Sequence, residues 1–285
     1  MTVRVGQFGA LLLEQPQVSA HHAERRADLV RDERQEPTEL FVIHRDAPVN
    51  YRTNPLPPLV SLVIPVKGDA EALSDLLLDL LAGGLAGVEV IVSAAAPVDE
   101  ALAQLRDRDT NVIWVESAPG RGTQLNTGAG RAAGEWLWFV HADSRLPVGW
   151  LAAFQALTAD GAVAGGAFAF ALDSPAWQAR LLERAVALRV RWFDLPYGDQ
   201  GLFVRRHVFE SMGGFAPLPL MEDVEFVRRL TRWGRLRHLT LKVTTSARRW
   251  ERRGWLRRSA SNLATLGLYA IGVSPERLAR RYYEE

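Results

Sequence analysis

From residue 58 onward the sequence predicts an α/β fold, a mixed but mainly parallel sheet flanked by helices, behind an N-terminal extension. Three observations carry this. Short β-branched and aliphatic runs alternate with segments of helical apolar spacing. The connections between them are short, which implies βα units and a sheet covered on both faces. The chain has 285 residues and is 48% apolar and 24% charged, enough for one large globular core with an added segment.

Residues 1–57 mix short apolar runs with a polar stretch from His21 through Glu36 and end in Asn54-Pro55-Leu56-Pro57-Pro58, a linker-like proline cluster. A helix over 20–32 and a strand over 40–44 are expected in what reads as a partly ordered arm. Residues 58–285 form the main domain. Residues 59–66 are a buried strand, 70–81 a helix closed by Gly83-Gly84, 88–93 a strand, 98–108 a helix and 111–115 a strand. A glycine-rich entry, residues 119–128, opens a helix running to about Ala133, and residues 136–140 are a central strand.

Beyond the acidic turn His141-Ala142-Asp143, a helix is expected over 149–159 and a half-buried strand over 165–172. Then follow a helix over 177–193, a strand over 201–205, a short helix, the Gly213-Gly214-Phe215 turn and a Pro-Leu loop. A helix over 223–233, a strand over 239–245, a basic run over 248–258 and a final apolar helix over 259–271 complete the reading.

The formal net charge of +1 hides an asymmetry: from Arg228 to Glu285 there are fifteen Lys or Arg against four Asp or Glu, so that end should face something anionic. The absence of cysteine excludes disulfides, thiolate metal sites and a cysteine nucleophile. No apolar stretch reaches the roughly 18–20 residues that span a bilayer, and the first thirty residues lack a signal-peptide pattern. A cytoplasmic protein is expected, peripheral to a membrane if the basic end meets one.

Open parallel sheets bind ligands outside the carboxyl ends of their strands. Pro65, Asp69, Ser93, His141 and Asp143 lie past such ends and are expected to meet in one crevice. Asp143 reads either as a ligand for Mg²⁺ or Mn²⁺ or as a turn carboxylate capping the next helix. Arg121, Gln124 and Asn126 sit where a glycine-rich loop enters a helix, an arrangement that suits a diphosphate and equally a plain connection. Glu222 and Asp223 are either an acidic pair steadying a helix N-terminus or a pocket carboxylate acting as base. Asp199 and Gln200 line an acceptor side or simply make a turn. In the run containing Arg248, Arg249 and Trp250, six arginines interleave with two tryptophans. A diphosphate clamp or membrane contact fits that run better than nucleic acid, for which no recognised module is present.

On these residues, and specifically on "GRGTQLNTGAGRAAGEWLWFVHADSRLP", "YGDQGLFVRR", "GGFAPLPLMEDVEFVRRL" and "SARRWERRGWLRR" in that order, the span from about Val60 to Tyr283 resembles the family 2 glycosyltransferases of GT-A (Rossmann-like) fold. It is most similar to the subgroup associated with radical-SAM and selenium-domain proteins, also labelled arsenosugar-biosynthesis glycosyltransferases. The resemblance implies a metal-assisted, inverting enzyme of the hexosyltransferase class, using a nucleotide-diphosphate sugar and a small-molecule or lipid-linked acceptor. It places Asp143, with His141 in the position of the usual first aspartate, at the metal and diphosphate. Asp223 of the Glu222-Asp223 pair falls on the base, and Arg248, Arg249 and Trp250 on the leaving diphosphate. The chain departs from the pattern after the second strand, where Ser93-Ala94-Ala95-Ala96 replaces an acidic nucleoside-contacting segment, and after the first, where Gly68-Asp69 replaces Asn-Glu. Two alternatives stand beside this reading: a nucleotidyltransferase on a similar sheet, and a non-catalytic module binding through its basic end.

Overall fold

The computed structural model describes residues 57–284. The N-terminal extension, with its expected helix and strand, lies outside them. The described residues form one eight-stranded sheet of β1 (Val60–Val66), β2 (Val88–Ala95), β3 (Ile113–Ser117), β4 (Trp136–Phe139), β5 (Ser144–Arg145), β6 (Val163–Asp173), β7 (Leu202–Arg205) and β8 (Arg235–Ser246). Its order is β3-β2-β1-β4-β7-β6-β8-β5. The helices are α1 (Ala70–Gly83), α2 (Glu100–Arg108), α3 (Arg121–Ala129), α4 (Trp150–Thr158), α5 (Trp177–Phe193), α6 (Arg206–Met212), α7 (Glu222–Leu230), α8 (Arg248–Arg253), α9 (Trp255–Ala270) and α10 (Pro275–Glu284).

β4 shows why the sheet is buried on both sides. Trp136 and Trp138 point to one face, against Phe154 of α4, Phe168, Phe203 and the leucines of α1 and α2; Leu137 and Phe139 point to the other, against α3, α6 and α7. Alternation along a strand sends successive side chains to opposite layers, so a run with no polar residue needs two covers. Trp138 stacks on Phe168 at 4.6 Å and its indole N–H donates to the Gly201 carbonyl at 3.2 Å. Burying each such side chain contributes roughly 1.5–3 kcal/mol.

Strand direction decides where chemistry gathers. β1, β2, β3 and β4 are mutually parallel; β7 runs antiparallel to β4 and to β6, and β8 runs parallel to β6. The carboxyl ends of β1, β4, β6 and β8 therefore share one rim with the start of β7.

Several boundaries differ from the sequence expectation. β8 begins at Arg235 rather than Leu239: residues 235–238 already alternate between exposed and half-buried against β6, and the register shift between His238 and Lys242 puts them out of phase with the stretch that follows. α3 stops at Ala129, and the basic run folds into α8 and the start of α9, broken at Gly254 with φ +83. α10 was not anticipated, although Ser274-Pro275-Glu276 is a sound helix start with proline at the first position.

Candidate active site

At that rim lies a cavity of about 480 Å³ whose lining includes Pro65, Asp69, Arg121, Gln124, His141, Asp143, Asp199, Glu222, Asp223, Arg249 and Trp250. Eleven of the residues singled out from the sequence are thus brought together. Ser93, Asn126, Gln200 and Arg248 do not line it. Ser93 is fully buried in β2, and the Asn126 amide clasps both the N–H and the carbonyl of Phe215. Gln200 accepts from Tyr197 N–H and from Arg189, while Arg248 is exposed and bonds only Ser246. Of these four, Asn126 and Gln200 are engaged in tying loops together, whereas the Ser93 hydroxyl makes no hydrogen bond and Arg248 stands at the surface. Gln124 lines the cavity, but its amide donates to the carbonyls of Val66 and Ser93 at 2.8 and 2.9 Å, holding two strand ends together.

Asp223 and Glu222 begin α7 and are both buried. The loop before them is pinned by Asn126 on Phe215 and by Arg229, which donates to the carbonyls of Met212 and Gly214. Met221, immediately before the pair, sits at φ +67, a left-handed conformation costly for a side chain with a Cβ. Asp223 Oδ2 accepts from Gly198 N–H at 2.8 Å and from Arg121 at 3.0 Å, while Oδ1 meets its neighbour Val224 N–H at 2.8 Å. Burial pushes this carboxyl up, but Arg121 and the two backbone N–H groups outweigh it and hold it below the ordinary carboxylate range.

Gly198 leaves room for this contact, since a Cβ at that position would lie 3.2 Å from Asp223 Oδ2 and push the carboxylate by a few tenths of an ångström. Arg121 also pairs with Glu222, whose own carboxyl is nevertheless raised, by burial first and then by the Asp223 charge, against the Arg121 attraction.

Asp199, on the turn before β7, is the third acid of this group. Its Oδ1 is buried without a hydrogen bond, and burial, opposed by Arg189 and helped by Asp223, raises its pKa to about 6. Burial and the neighbouring Arg121 and Arg249 lower the His141 pKa to about 3, so its imidazole is neutral, with Nε2 3.4 Å from Arg121.

Across the cavity, the Asp143 carboxyl is raised by burial; Arg249 draws it down and Asp69 pushes it up. Asp69 occupies the N-cap position of α1 yet makes no capping bond, so its carboxylate is uncommitted there. Among the described residues no group of three or more His, Asp or Glu is arranged to hold a metal ion. A pair such as Asp143 and Asp69 fits an ion that draws its remaining ligands from a substrate diphosphate and water, as Mg²⁺ commonly does. The sequence reading also missed the wall built by α9 and α10: Arg258, Asn262, Thr265, Tyr282 and Tyr283. Arg258 is buried and donates to the Tyr282 hydroxyl. Recognising α10 from its Ser-Pro start would have brought these tyrosines into view.

Residues 61–218 match the family model described as glycosyl transferase family 2. No curated protein matches the chain. Among solved structures, the fold is similar to the mannosyltransferase PcManGT from Pyrobaculum calidifontis in complex with GDP-Man and Mn²⁺, with TM-score 0.56 and 20% identity over 78% of this chain and 67% of that one. It is also similar to S. aureus TarS 1-349, with TM-score 0.50 and 15% identity over 77% and 68%. At such identities the likeness is one of fold.

Proposed function

The chain belongs to glycosyl transferase family 2, and from that premise we propose that it moves a hexosyl group from a nucleotide-diphosphate sugar to an acceptor nucleophile, with inversion, within the subgroup its motifs resemble. The observation that supports this most is that Asp143 and Asp223 open on one cavity with cations beside each: Arg249 by the first and Arg121 by the second.

The donor diphosphate lies at the ends of β1 and β4, where Lys67 and Arg249 bring positive charge and Trp250 contributes to the wall. A divalent ion, Mn²⁺ as in the PcManGT complex or Mg²⁺, would be held by Asp143 with Asp69 in electrostatic reach. When bound, it supplies neutralisation of the charge that develops on the leaving diphosphate.

Asp223 takes the acceptor proton. Its depressed pKa makes it a weak base, so transfer accompanies attack on the anomeric carbon, when the hydroxyl becomes acidic. Arg121 and Gly198 N–H fix its orientation, and Asp199, with one oxygen unbonded, receives a second acceptor hydroxyl. A single base with no second carboxylate acting as nucleophile means direct displacement, which inverts the centre. The acceptor is a small molecule or a lipid-linked one. No observation favours nucleotidyl transfer.

The test is thermal melting against nucleotide sugars with and without Mn²⁺, followed by turnover. A donor that binds only the folded state raises the melting temperature. Asp143→Ala should remove the metal-dependent part of that rise. Asp223→Asn should keep the rise while lowering kcat by about 10²–10⁴-fold. Unchanged turnover in both variants would sink the assignment.

A further inference from the structure

We propose that the outward face of α5, joined by that of α9, is a docking surface for an anionic lipid leaflet, so that the acceptor reaches the cavity from a membrane. The proposal refines the acceptor side of the reading above and rests on it. α5 is an unusual helix: of its seventeen residues only Ala179 is buried. Its inner face, through Ala179, Leu182 and Val186, already packs against Phe170, Leu172 and Trp250. A second apolar stripe points outward, with Trp177 70%, Leu181 54%, Leu188 44% and Trp192 68% exposed and Ala185 between them. Intervals of four and three place all five on one side of the helix. Exposed aromatic and aliphatic residues in a continuous row mark an interaction surface.

Beside that stripe run Arg180, Arg184 and Arg191, all exposed. A similar composition recurs across α8 and α9, where Leu256 and Leu263 of α9 and Ile271 just after it are exposed, beyond Arg252 and Arg253 of α8 and Arg257 of α9. α5 and α9 belong to one neighbourhood, since Trp255 of α9 packs on the cluster that holds the inner face of α5. α5 carries four arginines and one glutamate, and residues 248–258 carry six and one. Both glutamates are engaged: Glu183, mostly buried, accepts from Leu172 N–H and pairs with Arg180, and Glu251, which is exposed, accepts from Ser174. The net face is therefore apolar and cationic, the pattern of helices that lie in a lipid interface. Two copies meeting through it would bring these arginines against each other, which argues against self-association.

α9 is a wall of the site, and α5 backs one of its lining residues. Arg189 of α5 lies 3.4 Å over the Tyr197 ring, and Tyr197, Asn262 and Thr265 line the cavity. Docking this face would put the acceptor side at the lipid headgroups.

The experiment is co-sedimentation of the full chain with vesicles of phosphatidylcholine, with and without phosphatidylglycerol. Binding is expected only with phosphatidylglycerol and should weaken as salt rises. The double variant Leu181→Glu and Trp192→Glu should lower the vesicle affinity at least about tenfold with no change in melting temperature, and Leu263→Glu should lower it independently. Absence of binding to anionic vesicles, binding that survives all three substitutions, or a dimer in solution that the α5 substitutions dissolve would each overturn the proposal. Vesicle binding is read with no sugar donor present, so its failure and the failure of the transfer reaction are separate results. Asp223→Asn should bind vesicles as the parent does.

Discussion

Arg121 is the residue on which the acidic side of the cavity depends. It faces Glu222 and Asp223 at once, and without it two buried carboxylates would confront each other. Removing one partner from a buried pair costs about 3–5 kcal/mol. Because the guanidinium is partly exposed, Arg121→Gln should cost less, about 2–3 kcal/mol at neutral pH by urea unfolding. The sign with pH follows from Asp223, whose folded pKa is depressed. Its contribution is present above the unfolded value near 3.9 and fades as pH falls through the folded one, so the cost of Arg121→Gln should shrink in acid. Asp199 has the opposite sign. Its pKa is raised to about 6, so the stability it permits is full below about 4 and is lost as pH rises through about 6. Asp199→Asn should therefore stabilise the protein at pH 8 by on the order of 1–3 kcal/mol and leave it nearly unchanged near pH 4, as paired urea curves would show.

Among the elements, α7 matters most because it carries Asp223, the base we propose, and its entry is strained. Met221 holds a left-handed backbone that glycine adopts freely, so Met221→Gly should gain about 0.5–1 kcal/mol in urea after glycine's own entropy loss is subtracted. Gly198→Ala should act through geometry, lowering kcat by roughly tenfold or more with donor affinity unchanged, since the added methyl displaces Asp223. The strands around β4 were legible in the sequence because burial on both faces leaves an unbroken apolar run such as Trp136-Leu137-Trp138-Phe139-Val140. β8 was half hidden, because Arg235, Arg237 and His238 make its first half charged and a register shift against β6 puts that half out of phase with the second. α10 was hidden for a different reason: its charged residues look like a solvated tail until its buried Leu278 and Ala279 are seen.

At the scale of the molecule, the rim gathers residues that the sequence could nominate but not sort. Position past a strand end nominated Asp69 and Asp143, which line the cavity, and equally Ser93, which is buried beneath α3 with its hydroxyl unbonded. Polar residues in a glycine-rich loop suggested Asn126, which serves instead as a clasp on Phe215. Only the tertiary partners separate a group that ties strands from one that meets a ligand. The reversed strand β7 has a further consequence. It places Asp199 on the same rim as Asp143 although the two arrive on chain segments running in opposite senses. On the proposed roles, the acid nearest the recipient rides on the turn between α5 and β7 and the acid nearest the cation just past the end of β4, so the turn can be rewritten without disturbing the strand end that faces the diphosphate.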